Sequence, residues 1–200
     1  MVSVTQFLWS QLFFTPPYPA ADFSGQTVIV TGSNVGLGLE AARHFARLNC
    51  AKLILAVRTV SKGEKAKESI LSSTKRTADC IEVWPLDLSS SASVKAFAQR
   101  ADGLERLDIL VENAGVNVAG WELMEGVEAT LQVNVINTFL LALLMLPKLR
   151  ATRKRYGTAP HLEIVSSEAH VMAAFKERDE KDIYAKLNDE KAFNLFDRYE

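Results

Sequence analysis

At 200 residues, with 48% hydrophobic and 24% charged residues, the chain has apolar material for one domain's core and too little length for two. A formal net charge of −1 leaves no electrostatic case for nucleic acid. Cys50 and Cys80 lack the spacing of a metal site or a redox pair, so no metal is expected, and they suit buried thiols in a reducing compartment such as the cytoplasm.

Residues 1–24 read as an amphipathic segment. Apolar residues at Val4, Phe7, Leu8, Leu12 and Phe13 keep close to helical spacing until Pro16-Pro17 stops the pattern. The first Lys or Arg is Arg43, so the basic start of a secretory signal is lacking, and the apolar run is too short to span a bilayer. A helix docked on the body is the expectation, with shallow membrane contact through its Phe and Trp residues as the lesser reading.

Residues 25–200 read as a single α/β domain. Short β-branched runs alternate with helical patterns: strands at 27–31, 53–57, 81–86, 107–113 and 162–167. Between them lie helices that begin near Gly36, Ser61 and Ser89, and a long one from about Gly126 to Arg155. Apolar strands separated by amphipathic helices imply crossover units and a doubly wound parallel sheet of about five strands, a Rossmann-type fold. The basic cluster Lys148, Arg150, Arg153, Lys154 and Arg155 suits the carbonyl end of the long helix, and a phosphate or lipid surface is the lesser reading. The last thirty residues, dense in charge of both signs, read as a surface excursion carrying one or two short helices.

The stretch "VTGSNVGLGLEAARHF" places Gly32, Gly36 and Gly38 between the first strand and the first helix of that domain, with Asn34 and Leu37 in the same turn. A tight turn whose backbone must approach a pyrophosphate excludes side chains, and the amides of the following helix start face the phosphates. These five positions are candidate dinucleotide contacts.

Further motifs follow in order: "LDL" with Asp87, "NAG" with Asn113, Ala114 and Gly115, "VN" with Asn134, "IVSS" with Ser166 and Ser167, and finally Tyr199. From about residue 25 to the end, this series resembles the short-chain dehydrogenase/reductase family. The wording "ILAVRTVSKGEKA" and "SSEAH" is most similar to its retinol-dehydrogenase-like branch and to fungal relatives, some of which act on secondary metabolites. The resemblance implies that Asp87 contacts the adenine ring and that the Asn113–Gly115 turn stabilises the sheet beside the cofactor. The usual "NNAG" reads "ENAG", with Glu112 in the first place. It further implies reduction of a carbonyl by hydride from a nicotinamide, with Tyr199 as proton donor, Ser167 bonding the carbonyl oxygen (Ser166 being the alternative) and Asn134 holding a relay water.

Cofactor choice follows from charge. A carboxylate at the end of the second strand would accept from a ribose 2′-OH and repel a 2′-phosphate. This chain has Arg58 there and Lys62 nearby, which favours NADP(H).

The family lysine belongs four residues after Tyr199, beyond Glu200. Tyr184 and Tyr156 are followed at that spacing by Asn188 and Pro160. A tyrosine with its ordinary pKa is ionised to only about one part in a thousand at neutral pH. The expectation is therefore an oxidoreductase of a lipophilic carbonyl or alcohol impaired by truncation; the alternative is an inactive dinucleotide-binding pseudoenzyme that regulates a partner. The family's next helix and strands are also expected to be missing. That leaves part of the apolar run 139–146 uncovered and the fifth strand an open edge, and makes a homo-oligomer or a partner chain through the 126–155 helix the expected remedy.

Overall fold

A computed structural model describes residues 4–195 and Arg198. Five parallel strands form one sheet in the order β3-β2-β1-β4-β7: β1 (Thr27–Thr31), β2 (Lys52–Val57), β3 (Ile81–Pro85), β4 (Ile109–Glu112) and β7 (His161–Ile164). All of β1 is buried, as a strand covered on both faces requires of its continuous apolar run. The chain winds outward from β1 to β3, then crosses back to lay β4 on the other side of β1. That reversal opens a crevice at the carboxyl ends of β1 and β4, where open α/β sheets bind ligands.

Alternation along β1 divides the core between two layers. Val28 and Val30 pack with Ala42 and Ala46 of α2 (Gly36–Arg47) and with Ala66 and Ile70 of α3 (Val60–Thr74). On the opposite face Ile29 joins Val94 and Phe97 of α4 (Ser91–Asp102) and Leu141, Met145 and Leu149 of α5 (Ala129–Tyr156). Each fully buried Ile, Leu or Met contributes about 1.5–3 kcal/mol. Helix α5 is long and apolar enough to cross a membrane by composition, yet these same residues are the core of the domain. Cys50 and Cys80 are free and buried as expected, and burial pushes the Cys50 thiol up to about 12.

Helix α5 does not begin at Gly126. Glu125 and Gly126, with φ of 53° and 82°, form the turn of a small antiparallel hairpin between β5 (Leu123–Met124) and β6 (Val127–Glu128). Two successive left-handed residues are what a two-residue hairpin turn demands. The helix starts one residue after Glu128, whose carboxylate accepts from the Thr130 and Leu131 N–H groups at 2.9 and 3.0 Å. Its Gln132–Asn137 stretch is π-helical.

The fifth core strand ends at Ile164, so Ser166 and Ser167 lie beyond it in an exposed loop. Among the described residues β7 pairs with β4 alone. Phe139 (53% exposed) and Leu143 (64%) leave a stripe of α5 uncovered, while Leu141 and Met145 of the same run are buried.

Helix α1 (Val4–Phe13) departs from the docked-helix expectation, because Leu8, Trp9, Leu12 and Phe13 are exposed. The segment meets the body further on, where the Arg47 guanidinium lies 4.1 Å over the Tyr18 ring and donates to the Pro19 carbonyl at 2.7 Å. The charged C-terminal stretch carries the short helix α6 (Ile183–Leu187) between 3-10 turns at Lys176–Asp179 and Glu190–Ala192.

The approach to β4 is tied to α5 by a buried bond: the Leu107 N–H donates to Thr152 Oγ1 at 2.8 Å. Thr152→Val removes the acceptor and leaves that N–H unpaired, at a cost of about 1–3 kcal/mol. A lower urea midpoint for Thr152→Val, with Thr152→Ser close to wild type, is expected; equal midpoints for all three would show the bond to contribute nothing.

Candidate functional site

The crevice is built where the first loop crosses the end of β4. Thr31, the last residue of β1, uses its short side chain as a clip: its Oγ1 accepts from the Asn113 and Ala114 N–H groups at 3.0 and 2.9 Å. In return Asn113 Nδ2 donates to the Thr31 carbonyl at 3.1 Å. Backbone then meets backbone. Gly32 has φ of +64°, and a Cβ on it would lie 2.9 Å from Ala114 Cα. A Cβ on Gly38 would lie 2.4 Å from Asn113 Nδ2 and 2.6 Å from the Gly32 carbonyl. Neither position admits a side chain without parting the two strand ends.

Helix α2 begins at Gly36, itself at φ +57°, and its start has no side-chain cap, whereas α4 is capped by Ser90. The free N–H groups and the positive end of the dipole are thus available to an anion. Leu37 is exposed on the first turn of α2. A cavity of about 370 Å³ opens before this helix start. Gly32, Asn34, Arg58, Asp87, Asn113, Ala114 and Gly115 all line it, seven residues that the sequence scatters from 32 to 115. Arg58 follows β2 and is exposed; Lys62, on the first turn of α3, is exposed and is not among the lining residues. The Asp87 carboxylate accepts from the Ser89 N–H and Oγ at 2.9 and 2.7 Å, so one of its oxygens shapes the loop that enters α4.

Asn134 sits in the π-helical stretch of α5. Its Oδ1 accepts from the Val116 N–H and its Nδ2 donates to the Val116 carbonyl, both at 2.8 Å. The helix is thereby stitched to the turn after Gly115, and Val116 itself lines the cavity. A π-bulge inside an α-helix is a recurrent mark of a functional site. Ser167 is not among the cavity's lining residues, and Tyr199 lies outside the described residues.

Residues 26–179 match the family model for short chain dehydrogenase. The chain belongs to the short-chain dehydrogenase/reductase family. It is 46% identical over 186 residues to the short chain dehydrogenase/reductase dmxR8 of Cryptosporiopsis sp., covering 92% of this chain and 57% of that one. The short chain dehydrogenase atnD of Emericella nidulans is 45% identical over 194 residues, covering 96% and 62%. This chain therefore spans little more than half the length of those fungal relatives. Among solved structures, RhlG of Pseudomonas aeruginosa in its NADP active-site complex aligns with a TM-score of 0.63 and 25% identity, covering 86% of this chain and 62% of that one. A short chain dehydrogenase from Escherichia coli CFT073 complexed with NADPH aligns at 0.61 and 27%, covering 85% and 68%. The family binds a nicotinamide dinucleotide and acts on small molecules.

Several site residues carry no signal in the glycine or "NAG" motifs. Thr31 was legible only as the last residue of a strand, although a small hydroxyl before the loop is what a backbone crossing needs. Ser33 is fully buried inside the glycine turn, its Oγ without a partner. Glu112, in the family's first asparagine position, is 3% exposed, and neither carboxylate oxygen has a hydrogen-bond partner. Burial raises its pKa from 4.5 to about 8, so the folded protein holds it protonated at neutral pH.

A raised carboxyl pKa makes stability pH-dependent with a definite sign. The contribution is fully present below the ordinary value of 4.5 and is lost as pH climbs toward about 8, because only the unfolded chain ionises freely over that range. A shift of this size is worth on the order of 5 kcal/mol. Glu112→Gln is expected to match wild type in urea denaturation at pH 5 and to be clearly the more stable at pH 8. Parallel pH profiles for the two would refute the buried protonated carboxyl.

Proposed function

We propose that the chain binds NADP(H) in the cavity at the strand ends and serves the interconversion of a carbonyl and an alcohol on a lipophilic small molecule. The carrying observation is that Gly32 and Asn34 of the glycine turn, Val35 just before the uncapped helix start, and Arg58 line one cavity. The cradle fits a dinucleotide: α2 amides with Gly32, Asn34, Gly36, Leu37 and Gly38 for the pyrophosphate, and Asp87 for the adenine side. The Asn113–Gly115 turn would flank the nicotinamide half. Arg58 and Lys62 put positive charge where a ribose 2′-phosphate would lie, and no acid stands at the end of β2. When bound, the nicotinamide supplies or accepts the hydride.

The chain's own part is to place and move a proton. Tyr199 is the proposed donor to the carbonyl oxygen, and the Ser167 hydroxyl is the group that hydrogen-bonds the same oxygen, with Ser166 as the alternative. Asn134 spends one acceptor and one donor valence on Val116. Its amide keeps one of each, which suffices to hold a relay water. Likeness to fungal relatives supports a secondary-metabolite substrate, and the buried thiols Cys50 and Cys80 support a reducing compartment such as the cytoplasm.

Titrating the chain with NADPH and NADH by cofactor fluorescence tests the reading. A charge-assisted pair at an exposed arginine sits near the lower end of about 1.5–3 kcal/mol, so Arg58→Ala should weaken NADPH about tenfold and NADH by less than about twofold. Equal losses would remove the argument for NADP(H), and failure of either cofactor to bind would sink the dinucleotide site. Binding without reduction of any ketone would favour the pseudoenzyme reading.

A further inference from the structure

One wall of the cavity comes from the β5–β6 hairpin rather than from the sheet. Met124 lines the cavity and is half-buried against the core cluster that includes Leu86, Leu88 and Val133, which line it too. With Val116 these side chains make an apolar surface, and Asp87 is the acidic group beside them. A pocket of that make-up, mostly apolar with a few polar groups, suits a flat heteroaromatic ring. A thioether adapts its shape to such a ring and makes favourable contacts with it.

The residue after Met124 fixes the hairpin to that end of the cavity. Glu125 is left-handed, with φ of 53°, a conformation in which glycine or asparagine is at ease and glutamate is not. Neither of those carries a carboxylate, and Glu125 uses its own. Both oxygens accept from the Ser91 N–H at 3.1 Å, and Oε2 also accepts from Ser91 Oγ at 2.6 Å and from Gln132 Nε2 at 3.1 Å. Ser91 opens α4, where the helix dipole favours an anion. It stands two residues after Ser89, which the Asp87 carboxylate holds, and Asn137 Nδ2 donates to the intervening Leu88 carbonyl at 2.7 Å. One short network thus carries Met124 on one side and the Asp87–Ser89 loop on the other. Asn188 holds the far strand of the hairpin, through the Gly126 carbonyl and the Glu128 N–H, which leaves Glu125 as the tie toward α4.

We propose that Met124 is a wall of the cavity's adenine end and that Glu125 is its positioning residue, so that the tie from Glu125 to Ser91 sets the affinity for the adenine half of the dinucleotide. The inference rests on the reading of the cavity as a dinucleotide site with Asp87 on the adenine side. Each strand of the hairpin is two residues long, and a two-stranded hairpin is marginal by itself. Without the tie the Met124 strand loosens from α4, while the crossing of Gly32 and Asn113 stays held by Thr31. Glu125 is exposed and is not among the lining residues, so it acts only through what it holds. The loss therefore falls on one end of the ligand.

Hydrogen peroxide oxidation of the whole chain, mapped by mass spectrometry, reads Met124 without requiring turnover. Met172, 68% exposed and outside the cavity, is the internal reference. Saturating adenosine 2′,5′-bisphosphate should slow oxidation of wild-type Met124 about threefold relative to Met172. Glu125→Asn keeps a residue at ease in the left-handed turn and withdraws the carboxylate from Ser91. Without ligand it should speed Met124 oxidation about threefold, and it should weaken the bisphosphate and NADPH by the same factor, about fivefold, because the loss lies in the half they share. Met124→Ala should weaken both ligands alike, and the double variant should be no worse than Met124→Ala, since Glu125 acts through Met124. Unchanged Met124 oxidation in Glu125→Asn, a larger loss for NADPH than for the bisphosphate, or additive losses in the double variant would overturn the proposal. A wild-type chain that binds NADPH with no protection of Met124 refutes the proposal alone. One that binds neither ligand refutes the dinucleotide reading, and the proposal with it.

Discussion

The crossing of the first loop over the end of β4 is the contact on which the rest of the site depends. Thr31 pulls the Asn113 and Ala114 amides onto its hydroxyl, and Gly32 and Gly38 close the remaining distance. Once these two turns are locked, the start of α2 faces the crevice, and its N–H groups have no side chain of their own to satisfy them. Arg58 and Asp87 come to the same cavity because β2 lies in parallel register beside β1, and β3 beside β2. A change of one methyl group at Gly38 would therefore act on the whole cradle, through Asn113, rather than on one contact.

Much of this was legible in the sequence, and the reason is geometric. Strand-turn-helix spacing forces glycine where backbones touch, so Gly32, Gly36 and Gly38 announce themselves, and the alternation of apolar runs gives the parallel sheet. What stayed hidden depends on partners distant in sequence. Asn134 shows nothing of its bonds to Val116, eighteen residues earlier, and the π-helical stretch around it has no composition of its own. The start of α5 was misplaced at Gly126 because Glu125-Gly126 reads equally as the approach to a helix and as a hairpin turn. Two left-handed φ angles decide it. The charge-dense stretch after Phe175 read as a surface excursion, since Glu177 and Arg198 look like solvated residues until Glu128 is seen beneath them.

Helix α5 joins these features into one body. Its N-cap is Glu128, which faces Arg198, its π-helical stretch holds the Val116 turn, and its middle fills the core under β1 and β4. Toward its end Lys148 donates to the Asp102 and Leu104 carbonyls and Thr152 accepts from Leu107, which fastens the helix to the loop between α4 and β4. Of the basic cluster there, Lys148 is spent on carbonyl oxygens of that loop and Arg155 pairs with Glu105. The helix is thus attached at both ends and in the middle.

Two of the buried polar side chains without partners lie in or just before the turns that frame the cavity. Polar groups buried without partners are rare, and each one asks for a cause. Ser33 lies within the glycine turn, and Glu112 immediately precedes the Asn113–Gly115 turn, so the unpaired hydroxyl and carboxyl flank the crossing from its two sides. For Glu112 the physical consequence is clear: the carboxyl takes up a proton, and the site carries one negative charge fewer than the sequence implies at neutral pH. A phosphate group bound as proposed would gain from that neutrality, since an ionised carboxylate next to the Asn113 amide would repel an anion at the helix start.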